Sequence, residues 1–306
     1  MATDTSSNIS ILDNARDVHL PANMTCQSNK FPVRTSDTLV CIPTYNEDSN
    51  ICQIIEAILQ LPLKVDIVVI DDNSFDRTRE RVADYASREK RVALILRPRK
   101  LGVGSAHRLG WLYARQLGYN QIVTLDADLS HDPSDIPKLL EKISAEADVA
   151  IGSRFTEGGR LDYRGWRLFA SKTANCLVRF LLRLPLNEYT TSLRAARLDR
   201  VPFGLVETID HDGYSFFFVC IWRFLKAGLT VLEIPIHFHD RNAGGSKLSA
   251  IEILRAIITL AGLSCLPNRS YRSTAQCNVR HCPSCGGPYV VQNGSRKSLC
   301  LRCFYG

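Results

Sequence analysis

VDIVVIDDNSFDRT, residues Val65 to Thr78, decides the fold. Val65–Asp71 is almost continuously apolar, the pattern of a strand buried on both faces of a parallel sheet. Asn73–Asp76 carries turn residues, and a charged helix follows from about Arg77 to Lys90. The same alternation runs outward in both directions. Upstream, Thr38–Pro43 (TLVCIP) reads as a strand, followed by a helix with Ile51, Ile54, Ile55 and Ile58 at helical spacing. Downstream come strands at Val92–Arg97, Gln121–Asp126 and Asp148–Arg154, with helices from Gly102 to about Leu117 and from Ile136 to Glu146 between them. Strands alternating with helices predict an α/β fold with a parallel sheet. Beyond it the sequence predicts a long basic amphipathic helix over 160–185, an aromatic-rich helix over Gly213–Lys226, an extended Thr230–Asp240 and an apolar helix over Ile251–Leu263.

Composition narrows the function classes. The chain has 306 residues, 45% apolar and 23% charged, enough to bury a core. No run reaches the roughly 18 uninterrupted apolar residues of a membrane span. Asp4, Asp13, Arg16 and Asp17 interrupt the N-terminus where a secretory leader needs an apolar stretch, so an exported protein is not expected. Residues 1–37 are polar and aperiodic and read as a flexible arm. The net charge is +7, of which Arg269, Arg272, Arg280, Arg296, Lys297 and Arg302 supply six in a tail without acids. Such a tail suits an acidic partner, anionic lipid or nucleic acid. Few aromatics are interleaved there for base stacking, which disfavours nucleic acid.

The 11 cysteines fall into two groups. Cys41, Cys176 and Cys220 lie in predicted strands and helices and read as small core hydrophobes. Cys282-Pro-Ser-Cys285 and Cys300-Leu-Arg-Cys303 are separated by 14 residues, the spacing of a zinc ribbon. Between them YVVQNGSRKSL reads as two short strands around Asn293-Gly294. The expected organisation is an arm (1–37), an α/β domain (38–265), a linker (266–276) and a ribbon (277–306) with structural Zn²⁺ on Cys282, Cys285, Cys300 and Cys303.

Ligands of open α/β sheets bind beyond the carboxyl ends of the strands. Three strand ends here are polar: Thr44–Glu47, Asp71–Asp72 and Asp126-Ala127-Asp128. Two carboxylates one residue apart at a buried strand tip repel each other, and a hard divalent cation such as Mg²⁺ or Mn²⁺ relieves that. Turn and cap chemistry is the plainer alternative for a lone D-x-D.

Six segments in order, IPTYNE (Ile42–Glu47), VIDDNSFDRT (Val69–Thr78), LGVGSAHRLG (Leu101–Gly110), LDADLSHDP (Leu125–Pro133), GSRF (Gly152–Phe155) and HDRNAGGSKLS (His239–Ser249), resemble the family-2 GT-A glycosyltransferases, and more closely their dolichol- or polyprenol-phosphate mannosyltransferase branch. The likeness covers about residues 38–263. It implies a GT-A fold, Rossmann-like, with a mostly parallel sheet and helices on both faces, the ribbon being an addition outside it. By the resemblance Pro43, Tyr45, Glu47, Val69 and Asp71 hold the base and ribose of a nucleotide sugar. Asp126, Ala127 and Asp128 hold metal and diphosphate. Arg154, Arg241 and Lys247 bind phosphates of donor and acceptor, Asp126, Asp128, Arg241 and Lys247 being the catalytic set. Arg194 matches a family position without an assigned role.

The resemblance implies inverting, metal-dependent transfer of a sugar, mannose from GDP-mannose, to a polyprenyl or dolichyl phosphate. An ionised phosphate acceptor needs cations to hold it and no general base, whereas a sugar hydroxyl would need one. Such an acceptor requires peripheral membrane contact or a membrane-anchoring partner, at the cytoplasmic face. The helices around 160–185 and 251–263 have basic and apolar faces suited to an interface or, equally, to core packing. Two departures fall in the acceptor half. Phe217-Phe218-Val219 replaces a family Gln-x-Glu, and Glu188-Tyr189-Thr190-Thr191-Ser192-Leu193-Arg194 replaces Asp-x-Thr-Gly-Ser-Phe-Arg. The alternatives are a family-2 transferase with a UDP-glucose-type donor and a hydroxyl acceptor, and a degenerate transferase fold serving as a binding scaffold.

Overall fold

The computed structural model describes residues 34–240 and 251–266, and by backbone alone 25–26, 250, 278–281, 288–291 and 299–300. Its strands and helices are β1 (Thr25–Cys26), β2 (Thr38–Thr44), α1 (Ile51–Leu59), β3 (Asp66–Asp71), α2 (Thr78–Arg88), β4 (Val92–Leu96), α3 (Val103–Gln116), β5 (Gln121–Thr124), α4 (Ile136–Ala145), β6 (Val149–Ser153), β7 (Arg160–Leu161), α5 (Trp166–Leu182), β8 (Arg194–Arg197), α6 (Ser215–Lys226), β9 (Val231–Pro235), β10 (His237–Phe238), α7 (Ala250–Ser264), β11 (Asn278–His281), β12 (Pro288–Val291) and β13 (Leu299–Cys300).

An eight-stranded sheet of order β1-β4-β3-β2-β5-β8-β6-β9 forms the centre. Period-two alternation divides each strand between two cores. Leu39, Cys41, Val68 and Ile70 pack with α3, α5 and α6 on one face. Val40, Ile42, Ile67 and Val69 pack with α1, α2 and α4 on the other. Both faces being covered explains why β3 is buried along its whole length. The predicted α/β architecture, a mostly parallel sheet flanked by helices, is the one observed.

Four differences from the sequence expectation stand out. β8 runs antiparallel between β5 and β6, so the sheet is not uniformly parallel. Its residues, Arg-Ala-Ala-Arg, carry no strand signal of their own and are held by ladders on both sides. The helix predicted over 160–185 begins only at Trp166, after Gly165 at φ 66°, and residues 160–161 instead pair with β10. Cys41 and Cys220 are buried, but Cys176 is exposed because it sits on the outward side of α5. Within the predicted arm, Thr25–Cys26 pairs antiparallel with β4; residues 1–24 and 27–33 lie outside the described residues. So do most of the linker and ribbon. There β11, β12 and β13 pair antiparallel, Val290 facing Leu299, but Cys282, Cys285 and Cys303 fall outside the described residues and Cys300 is described by backbone only.

Candidate active site

β2 lies between β3 and β5, and the chain winds first towards β4 and then back past β2 to β5. That reversal is a topological switch point, where the loops beyond neighbouring strands part and leave a crevice. A cleft of about 120 Å³ occupies it, lined by Pro43, Thr44, Tyr45 and Glu47 after β2, Asp72 after β3, Lys100, Gly102, Val103 and Ala106 at the start of α3, Asp126, Ala127 and Asp128 after β5, and Tyr214 and Glu252.

Short local devices hold its walls. Asn46 and Asn73 adopt φ 54° and 61°, a region asparagine tolerates, and so turn the chain sharply after β2 and β3. The Asn46 N–H donates to Ser74 Oγ at 2.9 Å and its side-chain oxygen accepts from the Phe75 N–H at 2.9 Å, tying the two loops together. The Asp72 carboxylate accepts the N–H groups of Leu101 and Gly102 at 2.7 and 2.8 Å and pairs with Arg97 at 3.1 Å. It therefore fixes the turn into α3. Lys100 Nζ stands 3.9 Å from the centre of the Tyr45 ring, and the exposed Phe75 meets the same ring in an edge contact at 6.2 Å.

Asp128 is 5% exposed and accepts hydrogen bonds from the Ser130 N–H (3.1 Å) and hydroxyl (2.5 Å). Leu129 between them is forced to φ 60°, a conformation that costs a leucine about 1–3 kcal/mol. The Asp126 side chain is one-third exposed, with His131 Nδ1 3.9 Å away. It also acts electrostatically on the buried guanidinium groups of Arg154 and Arg194, favouring their charged forms. Two carboxylates offering hard oxygen ligands at a cleft floor fit a divalent cation of the Mg²⁺ or Mn²⁺ kind.

Of the residues expected from sequence, Pro43, Tyr45, Glu47, Asp126, Ala127 and Asp128 come together in this cleft. Val69 and Asp71 do not line it. Val69 is wholly buried in the sheet core. Asp71 is buried behind the cleft, bonded to the Ser74 N–H, the Ser74 hydroxyl and Thr44; burial raises its carboxyl pKa despite those hydrogen bonds. Arg154 does not line it either. Its guanidinium makes four hydrogen bonds, two to Glu188 (2.7 and 2.9 Å) and one each to Tyr163 and Thr190. Burial opposes that charge, but the Glu188 carboxylate outweighs it, and the arginine pKa rises while that of Glu188 falls. Arg194 is buried beneath the D-x-D, its pKa pushed down to about 10 by desolvation, with its guanidinium 5.1 Å from the Phe217 ring. Arg241 and Lys247 lie outside the described residues.

Sequence reasoning missed Lys100 and Tyr214 as cleft residues, and also Glu252. A signal for the last existed: Glu252 is the one acid in a mainly apolar helix segment. The Phe217–Val219 departure is a packing change, since these residues are 2–4% exposed and Phe217 meets the edge of the buried His107 ring at 5.1 Å. Thr191, in the second departure, holds His131 Nε2 at 3.2 Å beside Asp126.

The sequence profile of glycosyl transferase family 2 matches residues 39–201. Polyprenol monophosphomannose synthase of Mycolicibacterium smegmatis is 38% identical over 229 residues, 74% of this chain and 86% of that protein. Undecaprenyl-phosphate mannosyltransferase of Micrococcus luteus is 31% identical over 223 residues, 72% of this chain and 91% of that protein. Glucosyl-3-phosphoglycerate synthase from Mycobacterium tuberculosis, crystallised with Mn²⁺, UDP and phosphoglyceric acid, superposes with a TM-score of 0.54 at 20% identity, covering 76% of this chain and 80% of that one, a likeness of fold. With a switch-point cleft floored by Asp126 and Asp128, the chain belongs to glycosyl transferase family 2 and is a glycosyltransferase.

Proposed function

We propose that the chain transfers mannose from GDP-mannose to a polyprenyl phosphate, with inversion at the anomeric carbon. The observation that carries this is the placement of Asp126 and Asp128 in one cleft with Tyr45 and Lys100. The two relatives, named for polyprenol and undecaprenyl phosphate mannosylation, support the acceptor and the sugar. Asp126 and Asp128 would hold a divalent cation, which would supply positive charge against the departing diphosphate. The Tyr45 ring and the exposed Phe75 beside it offer a platform for the base, and Glu47 offers an acceptor for a nucleoside hydroxyl. The Lys100 ammonium faces the same space and favours an anionic ligand. Arg154, committed to Glu188, acts as a positioning residue that keeps the wall beside Asp126 charged and rigid. Arg241 and Lys247, one and seven residues beyond Asp240, are the cations assigned to the phosphates. The acceptor phosphate is ionised at neutral pH, so its oxygen forms the new bond to the anomeric carbon as the bond to the nucleoside diphosphate breaks. No protein base is required.

The acceptor brings the enzyme to a membrane surface, which we place at the cytoplasmic face. Among the described residues no helix is long and apolar enough to cross a membrane. α5 and α7 pack on each other and expose Trp166, Phe169 and Phe180 from the one and Ile251, Leu254, Ile257 and Ile258 from the other. Arg167, Lys172 and Arg179 are the charged residues of α5, a composition suited to anionic headgroups. α7 also carries Glu252 into the cleft, so the surface touching lipid and the nucleotide site share one helix. A structural Zn²⁺ on Cys282, Cys285, Cys300 and Cys303 completes the proposal.

The full chain incubated with a panel of nucleotide sugars, Mg²⁺ or Mn²⁺ and a short polyprenyl phosphate should yield a lipid heavier by one hexose, read by mass spectrometry. Asp128→Ala should reduce the yield at least about a hundredfold, the scale on which removing one transition-state charge partner is felt. Equal product from Asp128→Ala, or no hexosylated lipid with any donor, overturns it.

A further inference from the structure

β7 and β10 pair in parallel, Arg160 with His237 and Leu161 with Phe238. Phe238 turns inward, with its ring 5.0 Å from His131, 5.8 Å from Tyr163 and 4.8 Å from the Arg154 guanidinium. Alternation along the extended chain therefore turns both His237 and His239 to the opposite side, where their rings lie 4.1 Å apart. The Asp162 N–H donates to the Phe238 carbonyl at 3.0 Å, which sets its carboxylate against both imidazoles. Oδ1 lies 2.6 Å from His237 Nε2 and Oδ2 lies 3.2 Å from His239 Nδ1. One donor atom from each residue lies within 4.8 Å of the other two.

We propose that Asp162, His237 and His239 form a binding site for a divalent transition-metal ion of the zinc class, separate from the D-x-D cleft. Two imidazoles and one carboxylate are a borderline donor set, which selects Zn²⁺, Co²⁺ or Ni²⁺ over the hard ions that suit Asp126 and Asp128. Bonds of about 2.0–2.1 Å at tetrahedral angles place donor atoms roughly 3.4 Å apart. With the three donor atoms already within 4.8 Å of one another, side-chain rotation is enough to approach that spacing, and backbone pairing has already brought the residues together. The side chains are 44%, 43% and 40% exposed for His237, Asp162 and His239, so an ion has a path in and a fourth position is open to water. None of the three lines the catalytic cleft. The neighbourhood nevertheless joins the two, because the His239 N–H donates to the Ser130 carbonyl at 2.9 Å, two residues past Asp128. An ion here clamps β7 to β10 beside the D-x-D turn, just before the sequence continues to Arg241 and Lys247.

The test is a Co²⁺ titration of the chelator-stripped full chain in the absence of nucleotide, followed by visible absorption. The proposed site should give bands of a nitrogen–oxygen environment without thiolate-to-cobalt charge transfer, and these should persist in Cys282→Ser/Cys300→Ser and in Asp126→Ala/Asp128→Ala. His237→Ala and His239→Ala should each weaken that component at least tenfold. Asp162→Asn, which keeps the side-chain shape, should weaken it too, with circular dichroism verifying the fold. Loss of all Co²⁺ binding in the cysteine variant overturns the proposal. An unchanged nitrogen–oxygen component in both histidine variants does so as well, and leaves a hydrogen-bonded His–Asp–His cluster. Neither outcome bears on whether mannose is transferred.

Discussion

At the scale of single residues, the protein's electrostatics are arranged around buried groups that packing has forced into one protonation state. His107 is 1% exposed, stacked on Phe216 and edge-on to Phe217, with its Nε2 lacking a hydrogen-bond partner. Desolvation, then the charge of Arg194, drives its pKa down to about 3. The sign follows directly. Below about pH 6.5 the unfolded chain takes up a proton that the folded chain refuses, so stability falls as pH drops from about 6.5 towards 3. This one group contributes up to about 1.4 kcal/mol per pH unit in that window. His107→Leu should flatten that share of the acid slope, measured as the pH dependence of the urea midpoint between pH 6.5 and 4.5. An identical slope in the variant would refute the assignment. Residue identities at the strand ends were legible because acids at a buried strand tip need a physical reason. Lys100 was not legible, since one lysine in a basic loop carries no periodicity and no spacing rule. The displacement of Val69, Asp71 and Arg154 from the cleft was hidden for a related reason: sequence shows that a residue is near a strand end, not which side of the ladder it takes.

Elements come next, and the turn into α3 shows how little chain positions a site. Gly102 opens that helix at φ 96°, and a Cβ there would sit 2.4 Å from the Asp212 carbonyl oxygen. Its N–H is held by Asp72, and the Gly104 N–H reaches the same Asp212 oxygen at 2.7 Å. Gly102→Ala thus combines an unfavourable backbone region with a clash against rigid main chain. A loss of about 2–4 kcal/mol of unfolding free energy is expected, together with weaker nucleotide binding as the Lys100 wall shifts. Denaturant unfolding and calorimetric titration with a nucleoside diphosphate check both; wild-type values in both would show that the turn is not under this constraint. α1, with Ile51, Ile54, Ile55 and Ile58 buried, was readable from its period because one face meets a core. β8 was not, because Arg194–Arg197 becomes a strand through its neighbours alone.

For the whole molecule, two cores wrap one sheet and leave α5 and α7 with an outward apolar face. Trp166, Phe169 and Phe180 are 78%, 74% and 77% exposed, so replacing all three by serine removes little native packing. Folding stability should change by no more than about 0.5 kcal/mol per site, whereas each aromatic buried at a lipid interface is worth about 1.5–3 kcal/mol. Binding of the triple variant to vesicles containing anionic lipid should therefore weaken at least about tenfold, and residual binding should fall further with added salt. Unaltered sedimentation with vesicles would remove α5 from the membrane-facing role. The α/β class, the strand-tip acids and the membership these imply were legible in the chain, because hydrophobic period and turn chemistry are local properties written in consecutive residues. Folding was needed to show which acids share a cleft, that Arg154 is committed to Glu188, that α5 turns its aromatics outward, and that Asp162 meets His237 and His239. Each of those depends on segments far apart in the chain being brought together by the winding of the sheet, and no local pattern encodes that distance.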